Sequence, residues 1–211
     1  MPGSDSDRKL TPREFKRMRI LRAAIEVFAR DGYFSARMTD IAKAADVADG
    51  TLYLYFDGKE HLLLSVFDDV LDRFIDQLKQ EMKRLDDPMD KLKIMVRLHL
   101  EALGRDRALA QVLQIETRHS RKFMRLLSRG KLGEYLSLLN DIVKEGQDSG
   151  SFRGDVNAGL ATNVIFGAVD ELVNRWLLSD EPGDLAQYQG PLLKMLSQGL
   201  VPCEFHEGAA E

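Results

Sequence analysis

Leu63, Phe67, Val70, Leu71, Phe74, Leu78 and Met82 recur at the three- and four-residue offsets of a helix, a period that one face of a helix can bury and a strand cannot. Asp86-Asp87-Pro88 ends the run. The same signature returns along the chain. Ile20, Ala24, Val27 and Phe28, backed by Leu21 and Ile25, form a stripe that stops at Asp31-Gly32. Further helices are expected over 89–103, 107–115, 119–147 with a break at Gly130, 155–179, and 184–199 with a kink or restart at Gly190-Pro191. No segment alternates with period two between turn signals. The expectation is an all-α chain of about nine helices.

Composition narrows the class. With 44% hydrophobic and 30% charged residues, disorder and a disulfide-stapled miniprotein are excluded. The single Cys203 has no partner thiol, which fits a reducing, cytoplasmic compartment. The first ten residues are polar and lack the apolar region of a secretion signal. Apolar stretches such as 164–169 fall far short of the roughly 20 residues that cross a bilayer. A net charge of −4 rules out a generally basic nucleic-acid coat, but the charge is uneven. Residues 1–59 hold 11 Lys and Arg against 9 Asp and Glu, whereas residues 60–211 hold 19 against 25. Between Arg8 and Arg22, Arg8, Lys9, Arg13, Lys16, Arg17, Arg19 and Arg22 face only Glu14. This basic arm either steers the chain to phosphates or is a solvated helix start.

A short helix from about Met38 to Ala45, with Ile41, Ala42 and Ala45 inward, leads through Asp46-Val47-Ala48-Asp49 into Gly50-Thr51-Leu52-Tyr53-Leu54-Tyr55-Phe56. Leu52, Tyr53, Tyr55 and Phe56 cannot share one helical face, so at least one tyrosine is exposed beside the basic arm. Asp57-Gly58-Lys59-Glu60 reads as a capping box for the long helix that follows. Two short helices around a tight turn are the elements of a helix-turn-helix, whose second helix fits the major groove, about 12 Å wide.

The run from Ile41 to Glu60, with its Gly50-Thr51-Leu52-Tyr53-Leu54-Tyr55-Phe56 core and Lys59 three positions on, resembles the DNA-binding signature of the TetR family of bacterial transcriptional regulators. The resemblance covers roughly residues 11–61. It implies a DNA-binding domain over 1–57 and a helical effector-binding and dimerisation domain over 58–211. It also implies that Asp49, Gly50, Thr51, Tyr53, Leu54 and Tyr55 face an operator, with Leu52 and Phe56 as buried supports and Lys59 on a phosphate. For each tyrosine, core packing is the alternative. Two positions depart from the family. Arg37 stands where a capping Thr is frequent, so phosphate contact would come from Arg37 or Thr39 while helix support passes to Ser35 or Thr39. Asp46 replaces a usual Gly, and Asp tolerates the left-handed conformation better than most residues.

The 155–179 helix is apolar on more than one face, and Gly159, Ala161, Gly167 and Ala168 allow close approach. With the 184–200 helix, and by analogy with the family, it is the expected homodimer interface. A palindromic operator needs two reading heads about 34 Å apart. A central helix in a monomer is the alternative.

Between residues 118 and 131, Arg118, Arg121, Lys122, Arg125, Arg129 and Lys131 meet no acidic residue, while Phe123, Met124, Leu126 and Leu127 are expected to pack inward. This stripe either binds an anionic head group or is a solvated face. Phe166-Gly167-Ala168-Val169-Asp170-Glu171, Trp176, Asp180 and the Gln114–Arg118 run are similar to the acyl-CoA-responsive fatty-acid metabolism regulators of the family. That similarity implies a repressor released by long-chain acyl-CoA, the tail contributing about 0.8 kcal/mol per buried methylene. Phe123, Phe166 and Trp176 are then tunnel candidates, and Arg118, Arg121, Lys122 and Arg125 head-group candidates. Ordinary core packing is the alternative for each aromatic.

Other chemistry finds little support. Glu116-x-x-His119 has the spacing of a di-iron bundle but occurs once, and His99-Leu100-Glu101 lacks the cysteines of a zinc deaminase. No phosphate loop, nucleophile elbow or H-E-x-x-H pair occurs. A regulator answering another apolar effector, such as a drug, and a helical-bundle enzyme are the competing readings.

Overall fold

The computed structural model describes residues 11–116 and 121–201, with side chains outside 116–123. Thr11 opens the first helix. Its side chain accepts from the Glu14 amide and the Glu14 carboxylate accepts back from the Thr11 N–H at 2.8 Å, a complete capping box with Pro12 in the first position. This helix, α1 (Pro12–Ser35), is interrupted at Gly32, whose positive φ of 74° breaks the helical path where Asp31-Gly32 forecast it. The basic run is therefore mostly helix rather than an extended arm.

The chain continues through α2 (Met38–Ala44), α3 (Asp49–Tyr53), α4 (Lys59–Met82), α5 (Pro88–Gly104) and α6 (Arg107–Gln111). After α6 a π-helical turn covers Val112–Glu116. The remaining helices are α7 (Arg121–Arg129), α8 (Lys131–Asp148), α9 (Ala158–Leu177) and α10 (Gln189–Leu200), with a 3-10 turn over Leu185–Tyr188 before the last. Ten α-helices stand among the described residues, against about nine expected. Gly130, at φ −96° and ψ −142°, separates α7 from α8 at the break expected there.

Two compact units divide inside α4, between Asp69 and Val70. In the first, Ile20, Ala24, Val27, Phe28, Ile41, Ala42, Leu52 and Leu62 are sealed from solvent. In the second, Leu78, Leu92, Val96, Leu100, Val143 and Val173 form the centre of a core drawn from α4, α5, α8 and α9, with Leu185, Leu192 and Leu196 added from the C-terminal turns. Gly146 of α8 is required by packing, because a Cβ there would lie 2.2 Å from the Phe152 ring.

Three local expectations change. Helix α4 starts at Lys59, so Asp57 stands outside the capping box, and its amide instead donates to His61 Nδ1 at 3.1 Å. Helix α2 begins at Met38 with no side-chain cap on Arg37, and neither Ser35 nor Thr39 takes over; the backbone carbonyl of Arg37 accepts from Asp40 and Ile41. Among the described side chains of α7, Leu127 packs inward, while Met124 and Leu126 are 36% and 40% exposed; that of Phe123 lies outside them. A helix of nine residues has little apolar surface to lean on.

Candidate functional site

In the first unit, α1, α2 and α3 build a reading head from the inside out. Leu52 of α3 and Phe56 just beyond it are buried to 0% and 1% exposure, each contributing roughly 1.5–3 kcal/mol of anchoring. With those two residues inward, the rest of α3 turns outward. Tyr53 is 54% exposed and Leu54 77% exposed. Tyr55 is half-buried, with the Arg13 guanidinium 5.9 Å from its ring centre. Neither tyrosine belongs to the core. Asp49 and Gly50 are exposed at the start of α3 and Thr51 is partly exposed, while Arg37 and Thr39 are exposed at the start of α2.

The turn between α2 and α3 is held from α1. Arg19 donates to the carbonyls of Ala45 and Asp46 at 2.5 and 3.2 Å and to the Asp46 carboxylate at 3.2 Å. Asp46 occupies the left-handed region at φ 51°, so the residue that replaces glycine keeps the turn. Arg17 pairs with Asp69 at 3.0 Å and lies 5.9 Å from the Phe56 ring centre. Part of the basic run is therefore spent on holding the head together, a use that charge counting does not distinguish from phosphate attraction.

Lys59 makes contacts that the sequence does not disclose. Its ammonium donates to the carbonyls of Phe34 and Ala36 at 2.8 and 3.0 Å and sits 4.7 Å from the Tyr33 ring centre. Both carbonyls stand at the C-terminus of α1, where a cation is favoured.

In the second unit, Phe166 of α9 lies within a ring of aromatic side chains. Its centroid is 5.9 Å from that of Tyr135 on α8 and 6.3 Å from that of His99 on α5, and Phe74 of α4 stacks edge-on against both. Gln114, turned inward by the π-helical segment, donates to the Asp170 carboxylate at 2.7 Å. Trp176, ten residues beyond Phe166, is not brought to this cluster, since ten residues of helix rise about 15 Å. Its indole N–H instead donates to the Gly183 carbonyl at 2.7 Å and its ring takes the Arg107 guanidinium at 5.3 Å. Arg125 is exposed on α7. Arg118 and the side chains of Arg121, Lys122 and Phe123 lie outside the described residues, as does His119 of the Glu-x-x-His pair. Lys131 leaves the basic stripe, pairing with Asp72 at 2.5 Å and Glu134 at 3.0 Å.

Along α9 and α10 an apolar groove of about 360 Å³ opens to solvent. Leu160, Val164 and Met195 line it at 57%, 57% and 71% exposure. Gly167, where a Cβ would meet nothing, continues the same side of α9. No helix among the described residues is long and apolar enough to cross a membrane.

A buried-anchor, exposed-aromatic second helix on a clamped turn, joined to a helical body with its own core, defines a helix-turn-helix DNA-binding regulator. The comparisons agree: residues 20–66 match the bacterial regulatory proteins of the tetR family, and residues 67–199 match the YsiA-like protein, C-terminal region. The chain belongs to the TetR family of transcriptional regulators. It is 37% identical over 185 residues to the fatty acid metabolism regulator protein of Bacillus subtilis, covering 88% of this chain and 95% of the relative. The fatty acid degradation regulator FadR of Bacillus halodurans superposes with a TM-score of 0.84 at 40% identity, covering 91% of this chain and 98% of that one. The FadR of Bacillus subtilis in complex with stearoyl-CoA gives 0.83 at 36% identity, covering 86% and 98%.

Proposed function

We propose that the chain is a homodimeric, cytoplasmic repressor of fatty-acid metabolism genes, released from a palindromic operator by long-chain acyl-CoA. The observation that carries the DNA-binding part is the exposure of Tyr53 and Leu54 on a helix anchored by buried Leu52 and Phe56. Asp49, Gly50, Thr51 and Tyr53 face base edges and the sugar-phosphate backbone, while Arg37, Thr39 and Tyr55 take phosphates. Gly50 fits this reading, because its own chain leaves open space where a side chain would stand and close approach by DNA needs that space. Lys59 supports the head by holding the end of α1.

The effector reading rests on whole-length likeness to regulators of fatty acid metabolism, one of them crystallised with stearoyl-CoA. Phe166 and Phe123 would line the acyl chain, Trp176 would close the far end of α9, and Arg118, Arg121, Lys122 and Arg125 would hold the anionic head group. Dimerisation through α9 and α10 would cover Leu160, Val164 and Met195, an exposed apolar strip that a monomer would leave in water.

The test is an electrophoretic mobility shift on the DNA upstream of the chain's own gene. A shift by wild-type protein, lost in Tyr53→Ala and reversed by stearoyl-CoA, supports the reading. No shift, or a shift unchanged in Tyr53→Ala, overturns the assignment of the head.

A further inference from the structure

His99 lies in the interior of the second unit, 9% exposed, inside the ring made by Phe74, Tyr135 and Phe166. Its Nδ1 is 3.0 Å from the Tyr135 hydroxyl, and its Nε2 is fully enclosed with no hydrogen-bond partner among the described residues. Burial holds the imidazole neutral, pushing its pKa down to about 4, and pushes the Tyr135 phenol up, so that the phenol keeps its proton. A phenol O–H donating to Nδ1 leaves the ring proton on Nε2. In that tautomer the interior of this unit presents one N–H donor with no acceptor among the described residues, a costly arrangement for folding alone. Leu or Phe at this position would fill the space without that cost.

Two features define the acceptor. The donor is neutral, and the charge bearing on it among the described residues is the Asp170 carboxylate. An anionic acceptor would be repelled, whereas a neutral carbonyl oxygen would be welcomed. The surrounding aromatic faces suit methylenes on either side of such a carbonyl.

We propose that His99 Nε2–H donates a hydrogen bond to the thioester carbonyl oxygen of the bound acyl-CoA, setting the depth of the chain and distinguishing the thioester from a free fatty acid. The inference rests on the acyl-CoA reading above. His99 acts here as a specificity-determining residue, and Tyr135 as the residue that fixes its tautomer.

Isothermal titration of the full chain with stearoyl-CoA, with S-octadecyl-CoA, the thioether in which a methylene replaces the carbonyl, and with stearate tests it. Wild type should bind the thioester about ten-fold or more tightly than the thioether, the effect of leaving a buried donor unmatched, and should bind stearate more weakly still. His99→Leu should bind thioester and thioether alike. His99→Gln, which can offer an amide N–H from a similar position, should recover part of the preference. Equal binding of thioester and thioether by wild type overturns the inference while leaving the acyl-CoA reading intact, even if His99→Leu fails to fold. A preference that persists in His99→Leu also overturns it. If wild type binds neither CoA compound, the acyl-CoA reading falls and takes the inference with it.

Discussion

Arg19 on α1 donates to the carbonyl of Ala45, the residue that closes α2, at 2.5 Å, and the same guanidinium reaches the carbonyl and carboxylate of Asp46. A side chain from outside the helix-turn-helix thus fixes the angle at which α3 leaves α2. Two of the three contacts fall on Asp46, which lies in the left-handed region at φ 51°, where a non-glycine residue gains most from being held.

Arg19→Ala should therefore misalign the head without unfolding it. Because the Arg19 side chain is 39% exposed and Asp46 almost wholly so, solvent screening limits the stability loss to about 1 kcal/mol. Operator affinity should fall by roughly ten-fold or more, since positioning errors at a reading helix are paid at every base contact. Parallel urea denaturation and anisotropy measurements check the pair of effects. A stability loss with unchanged operator affinity would mean that the clamp does not set the reading angle.

Lys59→Ala separates a phosphate contact from a carbonyl clamp. With the ammonium bonded to Phe34 and Ala36, the expected result is a loss of about 1 kcal/mol of stability and weaker operator binding at an unchanged salt slope. A slope reduced by about one with stability intact would instead make Lys59 a direct phosphate ligand.

Val164→Asp places a charge on the exposed strip of α9, where Val164 is 57% exposed and contributes little to its own protomer's core. The helix content should stay and the dimer should dissociate, because burying an unpaired carboxylate at an apolar interface is prohibitive. Sedimentation velocity reads the change, and operator binding should weaken together with dimerisation. A dimer that survives Val164→Asp would place the interface elsewhere.

The buried imidazole of His99 also makes stability sensitive to acid. Its pKa is pushed from 6.5 to about 4 by burial, so between these values the unfolded chain binds a proton that the folded one refuses. Stability from this group is complete above about pH 6.5 and is lost as pH falls toward 4, with about 2 kcal/mol gone at pH 5. Urea midpoints at pH 7 and 5 should show this loss in wild type and lose that component in His99→Leu. An identical pH dependence in both proteins would show that His99 titrates normally.

Much of this was legible in the chain because it is written locally. Helical period and the Asp31-Gly32 stop follow from residues within a turn or two of one another, whereas Leu52 and Phe56 as anchors and the left-handed turn at Asp46 are implied by the resemblance to the TetR signature. What the sequence hid is long-range. Lys59 meets carbonyls 23 and 25 positions earlier, His99 meets Tyr135 36 positions later, and Arg19 meets the turn 26 and 27 positions later. Each such residue looks on paper like an ordinary surface charge or core ring. Trp176 illustrates the converse, an aromatic in the right helix whose N–H is drawn to the Gly183 loop. The Thr11-Glu14 box is local too, a Thr followed three positions later by Glu, set among basic residues that carry no such signal.

The central claim is that this protein lets go of DNA when it takes up a long acyl chain carried on CoA. Fluorescence anisotropy of a labelled upstream duplex, with protein held near its dissociation constant and stearoyl-CoA titrated against free CoA, measures that directly. Anisotropy should return to the free-duplex value with stearoyl-CoA and stay unchanged with free CoA. Release by both compounds, or by neither, would contradict it.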